Sequence, residues 1–142
     1  MSQQSFNNHT RYVPLWHYIT APAIFALLIG SFYNLKDASE SNLYSASLIC
    51  LIAVILVFVF WYVRAFALKA QDRAIRAEEQ FRHFILTGKP LPKELRLRQI
   101  IALRFASDEE FPALAEKAAQ EKMESKEIKA SIKHWRPDYS RV

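Results

Sequence analysis

Two uninterrupted apolar runs stand out from an otherwise polar chain. Trp16 to Leu35 and Tyr44 to Val63 contain no Asp, Glu, Lys or Arg. Each is about 20 residues, or roughly 30 Å as a helix, which matches the hydrocarbon core of a bilayer. The pattern predicts a transmembrane hairpin over residues 15–63, with spans at about 15–35 and 43–63 and a loop of about eight residues between them. Residues 1–14 read as a polar N-terminal tail. Beyond the second run the periodicity changes. Residues 64–87 lack Gly and Pro and are rich in Ala, Arg, Glu, Gln and Leu, all good helix formers. The second span is therefore expected to continue as one long cytoplasmic helix. Leu68, Ile75 and Phe81 to Ile85 mark a narrow apolar stripe at roughly heptad spacing. Such a stripe needs a cover, either the rest of the tail or a second copy.

Thr87-Gly88 reads as a helix stop, with Gly88 in the left-handed cap conformation, and Pro90 and Pro92 make a stiff turn. Residues 88–142 then predict short helices. One starts at Pro92 or Lys93 and runs to Phe105, carrying Leu97, Ile100, Ile101 and Leu103. Ser107 to Glu110 fits a capping box ahead of Phe111, Leu114, Ala115 and Ala118, with Pro112 clouding the start. A last helix has Ser125 as N-cap, places Ile128, Ile132 and Trp135 on one face, and ends at Pro137. No strand pattern and no internal repeat occurs. The predicted fold is an all-α membrane protein: a two-helix hairpin, an extended second span and a small C-terminal helical domain.

Two rival readings of the apolar runs fit less well. A cleaved signal peptide wants a shorter apolar core, a more basic leader and a small-residue cleavage site. Two buried core helices of a soluble protein are hard to house in a chain of 142 residues.

Charge adds an orientation. Arg11 precedes the first span; Lys36 lies between the spans, opposed by Asp37 and Glu40; Arg64, Lys69, Arg73 and Arg76 follow the second. Positive charge marks the cytoplasmic side, so both termini are expected in the cytoplasm. Aromatic residues flank the spans at Tyr12, Trp16 and Tyr18, at Phe32, Tyr33 and Tyr44, and at Trp61 and Tyr62. The single cysteine, Cys50, has no intrachain disulfide partner. Residues 64–104 hold ten Lys or Arg against four Asp or Glu, whereas residues 105–142 hold seven against eight. The basic excess beside the membrane restates the orientation signal, and no recognition motif for nucleic acid accompanies it.

Small residues suggest packing faces. Pro22, Ala26 and Gly30 are spaced four apart in the first span, and Ala46, Cys50 and Ala53 form a comparable strip in the second. Such strips let helices approach closely. The simpler expectation is that they face each other within the hairpin; the alternative is a self-association face.

Candidate chemistry is sparse. The four histidines, His9, His17, His83 and His134, lack metal-ligand spacing. His17, at the edge of the first span, would ligate a haem only between paired chains; its plain reading is a polar interface residue. His9 and Arg11 suit lipid phosphate or a partner carboxylate. Asp72, Arg73, Arg76, Glu79 and Arg82 form a run of i,i+3 and i,i+4 pairs, read either as a solvated face or as a docking ladder. Arg104, Asp108, Arg136 and Asp138 are placed to bridge the later helices. No catalytic set, cofactor site, metal site or small-molecule pocket is expected. The uncharged spans disfavour a channel or transporter.

Four strings in order carry a resemblance. They are Asn8-His9-Thr10-Arg11-Tyr12-Val13-Pro14-Leu15-Trp16-His17, then Ala67-Leu68-Lys69-Ala70-Gln71-Asp72-Arg73 continuing through Ala74-Ile75-Arg76-Ala77-Glu78-Glu79, then Ala102 to Glu110, and Ile132-Lys133-His134-Trp135-Arg136-Pro137-Asp138-Tyr139. Together they resemble a family of short bacterial inner-membrane proteins known only as a domain of unknown function. The resemblance implies two membrane helices, a cytoplasmic helical tail and a bacterial origin, and it brings no catalytic residues.

The expected function is that of a non-enzymatic, multi-pass inner-membrane protein acting through protein contacts, as an accessory subunit, a scaffold or a self-assembling particle. Its expected partners are membrane lipids and further copies or a larger membrane complex. On this reading Gly30→Leu and Ile75→Asp should weaken assembly. The alternative is a module that reads anionic lipid through its basic residues.

Overall fold

The computed structural model describes residues 12–138. They form a π-helical turn, Leu15–Thr20, and five α-helices: α1 (Ala21–Lys36), α2 (Leu43–Thr87), α3 (Leu97–Leu103), α4 (Phe111–Gln120) and α5 (Ser125–Ser131). Among the described residues there is no strand, only one isolated bridge between Ala106 and Trp135. Leu15–Lys36 and Leu43–Thr87 are long and apolar enough to cross a membrane. The chain divides into two units at Ala67 and Leu68, although α2 runs unbroken through that point, as its lack of Gly and Pro predicts.

In the first unit, the π-helical turn precedes Pro22. A proline lacks the N–H that an α-helix needs and crowds the carbonyl four residues back. The wider turn relieves this: the Ala21 N–H bonds to the Trp16 carbonyl, and Thr20 Oγ1 donates to the Leu15 carbonyl at 3.0 Å. The connection between α1 and α2 is six residues, Asp37 to Asn42, shorter than expected because α1 continues through Lys36. Ala46, Cys50 and Ala53 are buried, at 2, 8 and 0 % exposure. Trp16 stacks on Phe60 with ring centroids 4.1 Å apart.

The small stripe of the first span lies elsewhere than expected. Pro22, Ala26 and Gly30 are all exposed, and a Cβ added at Gly30 would meet nothing within 4 Å. The less exposed side of α1 is Ile24, Leu28, Ser31 and Leu35. Ser31 is tolerated there because its hydroxyl donates back to the Leu28 carbonyl at 2.7 Å.

The second unit is a small helical core. Phe105, Phe111, Leu103 and Ile128 are its largest fully buried side chains. Around them pack Leu91, Leu95, Ile100, Leu114, Ala115, Ala118 and Met123, with α3 against both α4 and α5. Gly88 has φ +70° and its N–H bonds to the Phe84 carbonyl at 2.8 Å, the left-handed helix stop that the sequence predicts.

Three boundaries differ from expectation. α3 begins at Leu97 because Pro92 to Leu95 closes a turn, and the Arg96 N–H is held by Gln99 Oε1 at 2.6 Å. α4 begins at Phe111 with Pro112 in its first turn, where a missing N–H costs nothing. Of the expected capping box, Glu110 still accepts the Ser107 N–H at 3.4 Å. α5 has Glu124 as N-cap, its N–H bonded to Glu127 Oε2 at 2.7 Å, while the Ser125 hydroxyl donates to the Arg98 carbonyl. It ends at Ser131, so Trp135 is not on a helix.

After α4, Lys122 holds φ 52°, and the Met123 N–H returns to the Ala118 carbonyl at 3.1 Å. This is a Schellman closure that favours glycine. Lys122→Gly is expected to stabilise the chain by about 1 kcal/mol, by removing the left-handed penalty of a Cβ. An unchanged or lower melting temperature would count against it.

Candidate functional site

Arg82 occupies the centre of a polar seam between the end of α2 and the short helices. Its Nη1 donates to Glu79 Oε2 at 3.0 Å and its Nε to Asp108 Oδ1 at 2.7 Å. Its Nη2 donates to the Ala106 carbonyl at 2.7 Å, and the guanidinium lies 4.5 Å from the Phe111 ring centroid. A planar fork of five donors suits three acceptors and an aromatic face at once, which a lysine would not. The next residue, His83, is buried. Its Nδ1 lies 3.0 Å from the Lys89 carbonyl, so this nitrogen carries the hydrogen. The ring meets Phe111 edge-on, with centroids 5.8 Å apart.

A second cluster closes the far side of the core. Trp135 stacks on Phe105 at 4.6 Å, and the Arg104 guanidinium lies 4.5 Å from the same ring centroid. Arg104 Nε pairs with Asp138 Oδ2 at 3.3 Å. The last described residues are clipped to the core by backbone bonds: Ser107 N–H to the His134 carbonyl at 3.1 Å and Arg136 N–H to the Phe105 carbonyl at 2.7 Å. Glu110 also accepts the backbone N–H groups of Lys133 and His134. Ile75, Glu79, Arg104, Arg136 and Asp138 surround a hollow of about 370 Å³ between these elements.

Of the residues expected to interact, Glu79 and Asp108 are drawn to Arg82, and Arg104 and Trp135 to the Phe105 cluster. Ile75 joins them as a buried residue on the same side of α2. Ile75→Asp thus tests the docking of the tail and not assembly, which corrects the sequence expectation. The apolar stripe expected from Leu68, Ile75 and Phe81 to Ile85 is split: Ile75 is buried, while Phe81, Phe84 and Ile85 are exposed. Asp72 is half-buried and Arg73 and Arg76 are exposed. Of the expected pairs in this run, Glu79 with Arg82 forms, whereas among the described residues neither Asp72 nor Glu79 pairs with Arg76. His17 is held by its own turn, its Nδ1 lying 3.1 Å from the Val13 nitrogen and 2.9 Å from its oxygen. His9 and Arg11 lie outside the described residues. Missing from the sequence reading were Phe105, Phe111 and the Ala106 carbonyl as partners. No local pattern marks a carbonyl that an arginine 24 residues away will use.

Burial pushes the Glu79 carboxyl above the usual glutamate range, against the opposing pull of Arg82 by charge and hydrogen bond and of Arg136 by charge; Glu78 adds to the rise. A carboxyl with a raised folded pKa favours folding most below its unfolded pKa, and that contribution is lost as pH rises through the folded value. Glu79→Gln should therefore reduce the loss of thermal stability that wild type shows as pH rises from 4.5 upwards. Parallel melting curves for the two proteins across that window would refute it.

The model of a family of unknown function matches residues 1–142 of the chain. No curated protein and no solved structure matches it.

Proposed function

We propose, from the premise that this chain belongs to that family of unknown function, DUF6526, that it is a non-enzymatic integral membrane protein acting through protein contacts. The observation that carries this reading is the distribution of exposed apolar surface. Phe25, Ile29, Phe32, Leu51, Ile52 and Phe58, on α1 and the first half of α2, are each more than half exposed. A continuous apolar surface of that kind needs lipid or protein against it. The basic residues after the second span orient it with both termini in the cytoplasm, in the inner membrane of a bacterium. The helical core that follows α2 then serves as the contact module, and anionic lipid head groups are further contacts for Arg73 and Arg76. The protein would be an accessory subunit, a scaffold or a self-assembling particle.

The test is native mass spectrometry of the full chain, extracted gently from its membranes. Further copies, or a reproducible partner, would support the reading. A lone chain, or one found only in the soluble fraction, would sink it.

A further inference from the structure

The stretch of α2 from Ala70 to Ile85 has two opposed sides. Ile75, Glu79, Arg82 and His83 face the short helices. On the opposite side, by helical phase, lie Ala70, Ala74, Ala77, Phe81, Phe84 and Ile85. All six are exposed, with Phe81 at 66 %, Phe84 at 55 % and Ile85 at 65 %. From Ala70 to Phe84 the spacing alternates four and three, which is the a and d repeat of a coiled-coil seam. No neighbouring element among the described residues covers it.

We propose that this face is the seam of a parallel homodimer, with a second copy of this chain as its occupant. Charge placement argues for that partner and that direction. With Ala74 and Phe81 at a, and Ala70, Ala77 and Phe84 at d, Arg73 falls at g and Glu78 at e. In a parallel pair, each g residue faces the e residue five positions later on the other helix. Arg73 then meets Glu78 of the second copy, and two-fold symmetry makes the pair twice. An antiparallel pair sets g against g and e against e. Arg73 would then face Arg73, Gln80 or Thr87, and Glu78 would face Gln71, Glu78 or Ile85, with no opposite charges matched. Ala70, Ala74 and Ala77 let the backbones close, and Phe81 and Phe84 supply the buried area.

The parallel direction also rests on the proposed membrane reading, since copies inserted with one topology point the same way. Shared anchoring in one bilayer raises their effective concentration and so favours a seam this short.

The experiment uses the full chain in its own membranes, with Cys50→Ala removing the native thiol. Single cysteines are introduced by Ala74→Cys, Ala77→Cys and, as a control on the flank of α2, Arg76→Cys. Disulfides form only when Cα atoms lie within about 7 Å, so oxidation should give at least about tenfold more dimer from Ala74→Cys and Ala77→Cys than from Arg76→Cys. Arg73→Glu or Glu78→Arg alone should lower the dimer fraction about threefold, and the double exchange should restore it. Equal cross-linking at all three sites, or none at Ala74 and Ala77 while native mass shows an oligomer, would overturn the seam and leave the contact reading standing. Cross-links from Ala74→Cys to a different protein would overturn the choice of partner. A chain that is monomeric and partnerless by native mass would remove both.

Discussion

Phe111→Ala is expected to cost the second unit about 3–5 kcal/mol, enough to unfold a core of this size. The side chain is fully buried at the start of α4. Its ring carries three loads at once. It fills the space between α3 and α4, lies under the Arg82 guanidinium at 4.5 Å, and meets the edge of His83 at 5.8 Å. Truncation leaves a cavity and strips the aromatic face from Arg82 together. Thermal melting followed by near-ultraviolet circular dichroism should lose its cooperative transition, while α1 and the first half of α2 keep their far-ultraviolet signal. A fall in stability under about 1 kcal/mol would mean that the site collapses to fill the void.

Arg82→Met is the second large effect. Glu79 has a side chain only 8 % exposed, and Arg82 is its ion-pair partner. Removing one partner of a buried pair strands the other charge, at about 3–5 kcal/mol. Asp108, with a side chain 61 % exposed, is resolvated and adds little. The decisive measurement is the double variant with Glu79→Gln. If the stranded carboxylate is the main cost, the double variant should recover about 2 kcal/mol relative to Arg82→Met alone. Additive losses would place the energy in the Ala106 carbonyl bond and the Phe111 contact instead.

Much of the architecture was legible because it rests on local chemistry. The two uncharged runs, the unbroken α2 and the stop at Gly88 follow from residue type at one place in the chain. The apolar face of α4 was equally local: Phe111, Leu114, Ala115 and Ala118 are all buried. What escaped notice depends on partners distant in sequence. Residue size alone could not say which side of α1 is covered: Ile24 and Leu28 are half-buried, whereas Ala26 and Gly30 are exposed. By its spacing from Ile128, Trp135 reads as helical. It leaves the helix because the Ser107 N–H and the Phe105 carbonyl bind the backbone on either side of it. The sequence names Glu79 and Arg82 in one ladder and Asp108 in another set; that Arg82 joins the other two follows only from its distant partners, the Ala106 carbonyl and the Phe111 ring.

The clip at residues 134–136 has a consequence for the order of synthesis. The strand-like stretch that covers Phe105 and satisfies the Glu110 carboxylate leaves the ribosome after everything it closes. While it is being made, α3, α4 and α5 are still enclosed in the exit tunnel, so the second unit closes only after the chain is released. Without the clip α3 and α4 would expose an aromatic face and a carboxylate stripped of its backbone donors. A released chain ended at Ser131 should therefore be protease-sensitive between Leu97 and Gln120, where the full chain is protected.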